Sequence, residues 1–248
     1  MHGIQGRAVV VTGASRGLGR ALAEVLAERG AKVVLVARGE QELAEVAQGI
    51  RSRGGDAHAV AADIADKEAT HRIAGLAHAL VGEIDVVIHN ASTLGPTPLR
   101  LLLDTECEDL AAVLETNLVG PFRLTKALAG PMALRGRGTI VHLSSDAAVE
   151  AYPRWGAYGA SKAAQDHLAR TLAAELEGTG VRVLAVDPGE MDTAMHAAAI
   201  PEADPAQLAR PREVAERIAA MIEDAAAAPS GARLVASAWR GATERSAS

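Results

Sequence analysis

Short β-branched runs alternate along the chain with longer segments of helical period. Ala8-Val-Val-Val-Thr12 is apolar at consecutive positions, the pattern of a strand buried on both faces. From Gly17 to Glu28 the apolar residues Leu18, Leu22, Val25 and Leu26 share one helical face, and Gly30 ends that helix as a C-cap glycine would. The same reading predicts strands at 32–37, 57–61, 86–89, 139–143, 182–186 and 233–236. It predicts helices at 40–53, 67–81, from about 104 to 134, at 158–177 and at 211–224. Strict β–α alternation implies an α/β fold with a parallel sheet and right-handed crossovers. No stretch rich in Pro, Gly or Ser divides the chain, so residues 1–248 are read as a single domain. Two loops, 144–157 and 188–210, exceed what connection requires, and they follow strands at their carboxyl ends, where open α/β sheets bind ligands. Residues 241–248 form a polar tail that is expected to fray.

Composition narrows the function classes. The 248 residues are 49% hydrophobic and 23% charged, which is ordinary globular usage. A net charge of −6 argues against nucleic acid or an anionic membrane as the partner, since both select a basic face. Cys107 is the single cysteine, so no intramolecular disulfide forms, which fits a cytoplasmic setting. Residues 1–6 lack the apolar run of a signal peptide, and no stretch approaches the roughly 20 apolar residues of a membrane span.

The first strand leads into Thr12-Gly-Ala-Ser-Arg-Gly-Leu-Gly19, and the next helix begins inside that segment. Gly13 permits backbone angles that other residues resist, Gly17 lets the main chain approach a pyrophosphate at a helix N-terminus, and Gly19 allows close helix–strand packing. In this position a glycine loop points to dinucleotide binding; elsewhere it would be only a tight turn. An acidic residue ending the second strand would accept from the adenosine ribose of NAD, but Ala37 and Arg38 stand there. Arg38 and Arg16 are suited to a 2′-phosphate, or else are solvated surface arginines; the reading adopted is NADPH/NADP+.

Tyr158 and Lys162 stand four residues apart, on one helical face. A nearby ammonium favours phenolate, so Lys162 is expected to lower the Tyr158 phenol and fit it for proton transfer to a carbonyl or from an alcohol. The pair alone could equally be a helix-start tyrosine with an unrelated lysine. Ser144 and Ser145 follow the fifth strand and face the same crevice, while Asn117 interrupts a helix for which asparagine is a poor former.

With these residues in place, the chain resembles the classical short-chain dehydrogenase/reductase family over residues 6–235. The match is carried by the segment 12–19, Asp63, Asn90-Ala91, Asn117, Ser145, Tyr158, Lys162 and Pro188-Gly189. The resemblance implies a Rossmann-type, doubly wound, seven-stranded parallel sheet in three α/β/α layers, with residues 6–189 as cofactor-binding and catalytic core and 190–210 as a substrate lid. It implies Tyr158 as acid/base, Lys162 as ligand of the nicotinamide ribose, Ser145 as holder of the substrate carbonyl and Asn117 as support for a water relay towards Lys162. It implies further cofactor contacts from Gly13, Ser15, Arg16, Gly17, Leu18 and Gly19 in the loop. Asp63 and Ile64 would lie by the adenine, Asn90 and the backbone of Ala91 by the adenosine ribose, Pro188 and Gly189 beside the nicotinamide, and Thr193 near the carboxamide. Asp63 would otherwise be a helix N-cap and Thr193 a loop hydroxyl. A homotetramer or homodimer, paired through the 104–134 and 158–177 helices, is expected on the same ground. Two departures stand out: Ser92 occupies a position where the family commonly has glycine, and the last strand lacks the usual Val-Asp-Gly-Gly ending.

The implied activity is NADPH-dependent reduction of a ketone or aldehyde, or oxidation of a secondary alcohol, without a metal. The alternatives are a non-catalytic NADP(H)-binding regulator and, more weakly, a structural partner protein. The substrate is only outlined. Tyr152 and Trp155 either wall its pocket or cap the core, in a chain with 2% aromatic residues. Met191 and Met195 line the lid or pack within it. Glu190 and Asp192 give the lid an acidic cast, which favours a neutral, partly apolar carbonyl over an anionic one, and Asp146 beside Ser145 is either a polar contact or a turn residue.

Overall fold

In the computed structural model, residues 3–239 are described. The strands are β1 (Ala8–Thr12), β2 (Lys32–Ala37), β3 (Asp56–Ala61), β4 (Ile84–His89), β5 (Gly138–Leu143), β6 (Val181–Asp187) and β7 (Arg233–Val235). They form one seven-stranded sheet in the order β3-β2-β1-β4-β5-β6-β7, with parallel pairing throughout. The connection reverses direction across the sheet between β1 and β4, which opens a crevice above their carboxyl ends.

The helices are α1 (Gly17–Glu28), α2 (Glu40–Ser52), α3 (Ala69–Val81), α4 (Cys107–Leu114), α5 (Gly120–Leu134), α6 (Gly156–Glu175), α7 (Ala194–Ala199) and α8 (Pro211–Glu223). Successive residues of β1 serve opposite cores. Val9 and Val11 pack with Leu22 of α1, Leu43 of α2 and Ile218 of α8. Ala8 and Val10 pack with Ile73 of α3, Leu124 of α5 and Ala169 of α6. Both strand faces are therefore dry, which is why the strands read as continuous apolar runs.

Three departures from the sequence reading concern the site. The helix expected over 104–134 is broken into a 3₁₀ turn (Leu102–Asp104), α4, a π-helical segment (Glu115–Val119) and α5. A side chain at Gly120 would run into the carbonyl of Ile64, so the wide turn brings the helix unusually close to the end of β3. The 188–210 segment is not an open loop: it carries α7, a 3₁₀ turn (Pro205–Gln207) and a bridge between Met191 and Ala209. Helix α6 begins at Gly156 rather than at Tyr158, which makes the tyrosine the third residue of its first turn. The tail expected to fray lies outside the described residues.

Candidate active site

The glycine loop owes its shape to contacts that exclude side chains. Gly13 (φ 67°) and Gly17 (φ 53°) occupy left-handed backbone. A Cβ on Gly19 would strike the Gly13 carbonyl and the Asn90 amide. The loop is locked from below: Asn90 Nδ2 donates to the carbonyls of Thr12 (2.9 Å) and Gly13 (3.2 Å), and Thr12 Oγ1 accepts from the main chain of Asn90 and Ala91. Asn90, expected beside the ribose, thus spends its side-chain amide on shaping the loop. Gly13, Ser15, Arg16, Gly17 and Leu18 line a cleft of about 1160 Å³, while Gly19 lies behind it.

That cleft runs along the carboxyl edge of the sheet. At its first end Arg38, after β2, faces Asp63, after β3, at 4.0 Å, and both side chains are largely exposed. Asp63 Oδ1 accepts from Ala65 N at 2.9 Å within the loop after β3; Glu68, not Asp63, precedes α3, so Asp63 is not the helix N-cap read as its alternative role, and Ile64 lines the wall beside it. Glu42, which the sequence reading did not single out, shares this end.

At the other end Ser145, Tyr158 and Lys162 meet. Lys162 is buried, and its Nζ donates to the Leu143 carbonyl (2.6 Å) and to Gln165 Oε1 (3.3 Å). Burial brings its ammonium down to about 8, opposed by Asp166. The expectation that Lys162 lowers the phenol is not met. Burial pushes Tyr158 up to about 12; the Ser145 hydroxyl pulls it down, Asp146 and Asp187 push it up, and Ser92 pulls it down. Lys162 Nζ sits 5.6 Å from the ring centre and is held by backbone instead.

Asn117 is fully buried within the π-helical segment and does not line the cleft. Its oxygen accepts from Ser92 Oγ (3.1 Å) and Thr93 N (2.8 Å), and its Nδ2 donates to the Thr93 carbonyl and to Ser161 Oγ, both at 2.9 Å. These four bonds use the whole capacity of an amide. The side chain therefore has nothing left for a water relay; it ties the loop after β4 to α6. Ser92 is accommodated by the same bond, which answers what a side chain does where a glycine was expected.

Several residues here were not anticipated. Arg233 of β7 donates to Asp166 Oδ2 (2.9 Å), Asp187 Oδ2 (3.1 Å) and the Ser145 carbonyl (2.8 Å). Asp187 Oδ1 accepts from Gly189 N, which sets the turn at Pro188-Gly189. Beneath Lys162, the buried rings of His89 and His142 stack 4.8 Å apart. Burial, then the Lys162 charge, brings His142 down to about 3; burial and His142 hold His89 well below the usual imidazole range. Polar residues inside the apolar strands β4 and β5 were the signal for this pair.

The lid closes the far wall. Thr193 caps α7, its Oγ1 accepting from His196 N at 3.2 Å, so the hydroxyl is engaged within the lid. Its methyl comes nearest to the open side of Gly17. Pro188, Gly189, Met191 and Met195 line the cleft, as do Tyr152 and Trp155. Trp155 meets Tyr158 edge-on with ring centres 5.8 Å apart. Both earlier readings of Trp155 hold together: it packs in a small apolar cluster with Tyr158 and Leu94 and also walls the cleft. Among the described residues no group of acidic, histidine or cysteine side chains is arranged to hold a metal, and no helix is long and apolar enough to cross a membrane.

Comparison with known proteins adds to this geometry. The sequence profile of the short chain dehydrogenase family matches residues 7–204. A short chain dehydrogenase of Pseudocercospora fijiensis is 38% identical over 199 residues, covering 78% of this chain and 62% of that protein. Cis-4-hydroxycyclohexanecarboxylate dehydrogenase of Sinomonas cyclohexanicum is 37% identical over 242 residues, 92% of this chain and 94% of the relative. A short chain dehydrogenase of Shigella flexneri, solved with NADP, superposes with a TM-score of 0.87 at 30% identity over 94% of this chain and 98% of that one. A 7α-hydroxysteroid dehydrogenase solved with NADH and 7-oxo glycochenodeoxycholic acid gives 0.86 at 27% identity over 94% of each chain.

Proposed function

The chain belongs to the short chain dehydrogenase family, and from that premise we propose that it is an NADP(H)-dependent oxidoreductase that interconverts a neutral ketone or aldehyde and its alcohol. The observation that carries the reading is the convergence of Ser145, Tyr158 and Lys162 on one cleft whose opposite end holds Arg16 and Arg38. The cleft suits a dinucleotide: its glycines are packed where a Cβ has no room or the backbone is left-handed, and its volume of about 1160 Å³ exceeds what one small substrate fills. Arg16 and Arg38 supply the charge a 2′-phosphate needs, and the absence of an acid at the end of β2 favours NADP(H) over NAD(H).

The bound nicotinamide supplies or takes the hydride. Tyr158 gives its proton to the carbonyl oxygen in reduction and removes it from the alcohol in oxidation. Ser145 holds that oxygen in place. Lys162, fixed by the Leu143 carbonyl and Gln165, offers its remaining proton to the ribose. Leu94, Val113, Trp155, Met195 and Ile200 give the substrate end apolar walls, and Asp109, Asp146 and Glu190 give it acidic edges. The Sinomonas relative is named for a ring alcohol, and an alicyclic ketone or alcohol is the shape proposed here. Its carboxylate suits this acidic rim poorly, so the substrate proposed here is uncharged. A homotetramer or homodimer paired through α5 and α6 belongs to the same proposal and is tested by the mass in solution.

The test is NADPH fluorescence quenching, followed by oxidation of NADPH across a panel of alicyclic, aliphatic and anionic ketones. Turnover of neutral cyclic ketones supports the reading. Tight NADPH binding with no turnover across the panel would replace it with a cofactor-binding regulator.

A further inference from the structure

Asp146, Tyr152 and Ser145 form a hydrogen-bonded chain that the reaction as described does not use. Ser145 caps the 3₁₀ turn Asp146–Ala148, and its Oγ donates to Asp146 Oδ1 at 2.9 Å. The same carboxylate oxygen accepts from Ala147 N at 2.8 Å, and Oδ2 accepts from the Tyr152 hydroxyl at 3.0 Å. The backbone beneath is pinned too, because Arg233 holds the Ser145 carbonyl. With the main chain fixed and the carboxylate held on both oxygens, the serine hydroxyl has a defined position. Its Oγ gives its proton to Asp146 and accepts from Ala147 N at 3.2 Å, so the hydroxyl is anchored on both sides.

We propose that Asp146 is a positioning residue for this site: it anchors the Ser145 hydroxyl and sets a fixed negative charge beside the phenol. This rests on the assignment of Ser145 and Tyr158 above. Its consequence is directional. The Asp146 charge disfavours phenolate and so keeps Tyr158 as the proton donor to a carbonyl. Asp146 thereby biases the site towards the acid form that carbonyl reduction needs. The burial-driven rise of Tyr158, to which Asp146 adds, agrees in sign. The charged groups around the phenol are Lys162 of α6, Asp146, Asp187 of β6 with its partner Arg233 of β7, and Asp109 and Glu190 along the cleft.

The chain has two tyrosines, Tyr152 and Tyr158, so each phenol can be followed separately and without substrate. The experiment labels tyrosine with ¹³C at Cζ, assigns the resonances with Tyr152→Phe, and follows both up to about pH 11 in the full-length protein. Asp146→Asn keeps the shape of the carboxylate and removes its charge. The Tyr158 resonance is expected to begin titrating about half a pH unit lower or more, the size of one lost charge at this range. Tyr152 should move down as well, since its hydrogen bond to Asp146 raises it. Glu150→Gln removes an equal charge nearby and should move Tyr152 but leave Tyr158 in place. Asp146→Ala, if it lowers turnover several-fold while Asp146→Asn restores it, supports the orienting half of the proposal. An unchanged Tyr158 titration in Asp146→Asn, or an equal shift in Glu150→Gln, overturns it. Failure of every carbonyl to turn over would instead overturn the proposed function, while the tyrosine titration still decides the placement of Asp146.

Discussion

Arg233 Nη2 donates to the carbonyl of Ser145 at 2.8 Å, so the short last strand reaches across β6 to hold the backbone just beyond β5 at the site. The same guanidinium neutralises Asp166 on α6 and Asp187 at the end of β6. Three segments of the cleft are thereby tied to one side chain. The strand that departs from the family's usual ending is the one that provides it.

Replacing Arg233 with Met leaves Asp166 and Asp187, both buried, without their ion-pair partner. Breaking a buried ion cluster from one side costs about 3 kcal/mol or more. Urea unfolding should show a loss of that order, with turnover falling in the folded fraction. Unchanged stability would mean the cluster contributes nothing net.

The cofactor assignment predicts a reversal at Arg38. Arg38→Asp removes a charge-assisted partner for a 2′-phosphate and supplies an acceptor for a free ribose. NADPH affinity is expected to fall roughly 10- to 100-fold, with NADH binding improved. Equal affinities before and after, measured by fluorescence titration, would return Arg38 to the role of a surface residue paired with Asp63.

The His89–His142 stack predicts how stability depends on acid. His142 titrates near 3 when folded and near its ordinary value when unfolded, so below about 6.5 the unfolded chain binds the extra proton. The contribution of the neutral ring is complete above pH 6.5 and is lost as pH falls towards 3. His142→Phe keeps a stacking ring without that proton. Its loss of Tm between pH 7 and pH 5 should be smaller than that of the natural protein; an equal loss would place the acid sensitivity elsewhere.

The phenol gives the pH dependence of the reaction itself. With Tyr158 raised to about 12, the proton donor stays intact through neutral pH. Carbonyl reduction should be nearly flat from pH 6 to 7, below the Lys162 ammonium at about 8, while alcohol oxidation should rise with pH across the same interval. A reduction rate that falls steeply in this range would point to a different acid.

Much of the fold was legible because its physics is local. Strands buried on both faces must be apolar at every position, as in Val9, Val10 and Val11, and helices facing one core must repeat at helical spacing, as in Leu18 and Leu22. The π-helical segment at Asn117 was not legible. It depends on the close approach of Gly120 to the Ile64 carbonyl, a contact between distant segments. The same limit hid the site's supports. Tyr158, Lys162 and Ser145 carry their meaning in spacing and order, whereas Arg233, Asp187 and His142 acquire theirs only when strands far apart in sequence pair in register. Asp63 in a turn and Thr193 at a helix cap accept from backbone N–H groups, contacts that a sequence cannot separate from cofactor contacts, because the same oxygens serve either.

The central claim is that Tyr158 moves the proton while a nicotinamide moves the hydride. Tyr158→Phe removes one hydroxyl from a ring already packed against Trp155. The decisive measurement is the rate of NADPH oxidation by natural and Tyr158→Phe protein on the best ketone of the panel, with NADPH affinity determined alongside. The account requires unchanged NADPH binding and a rate lower by roughly 100- to 10,000-fold. A variant that binds NADPH and reduces the ketone at a near-natural rate would contradict it.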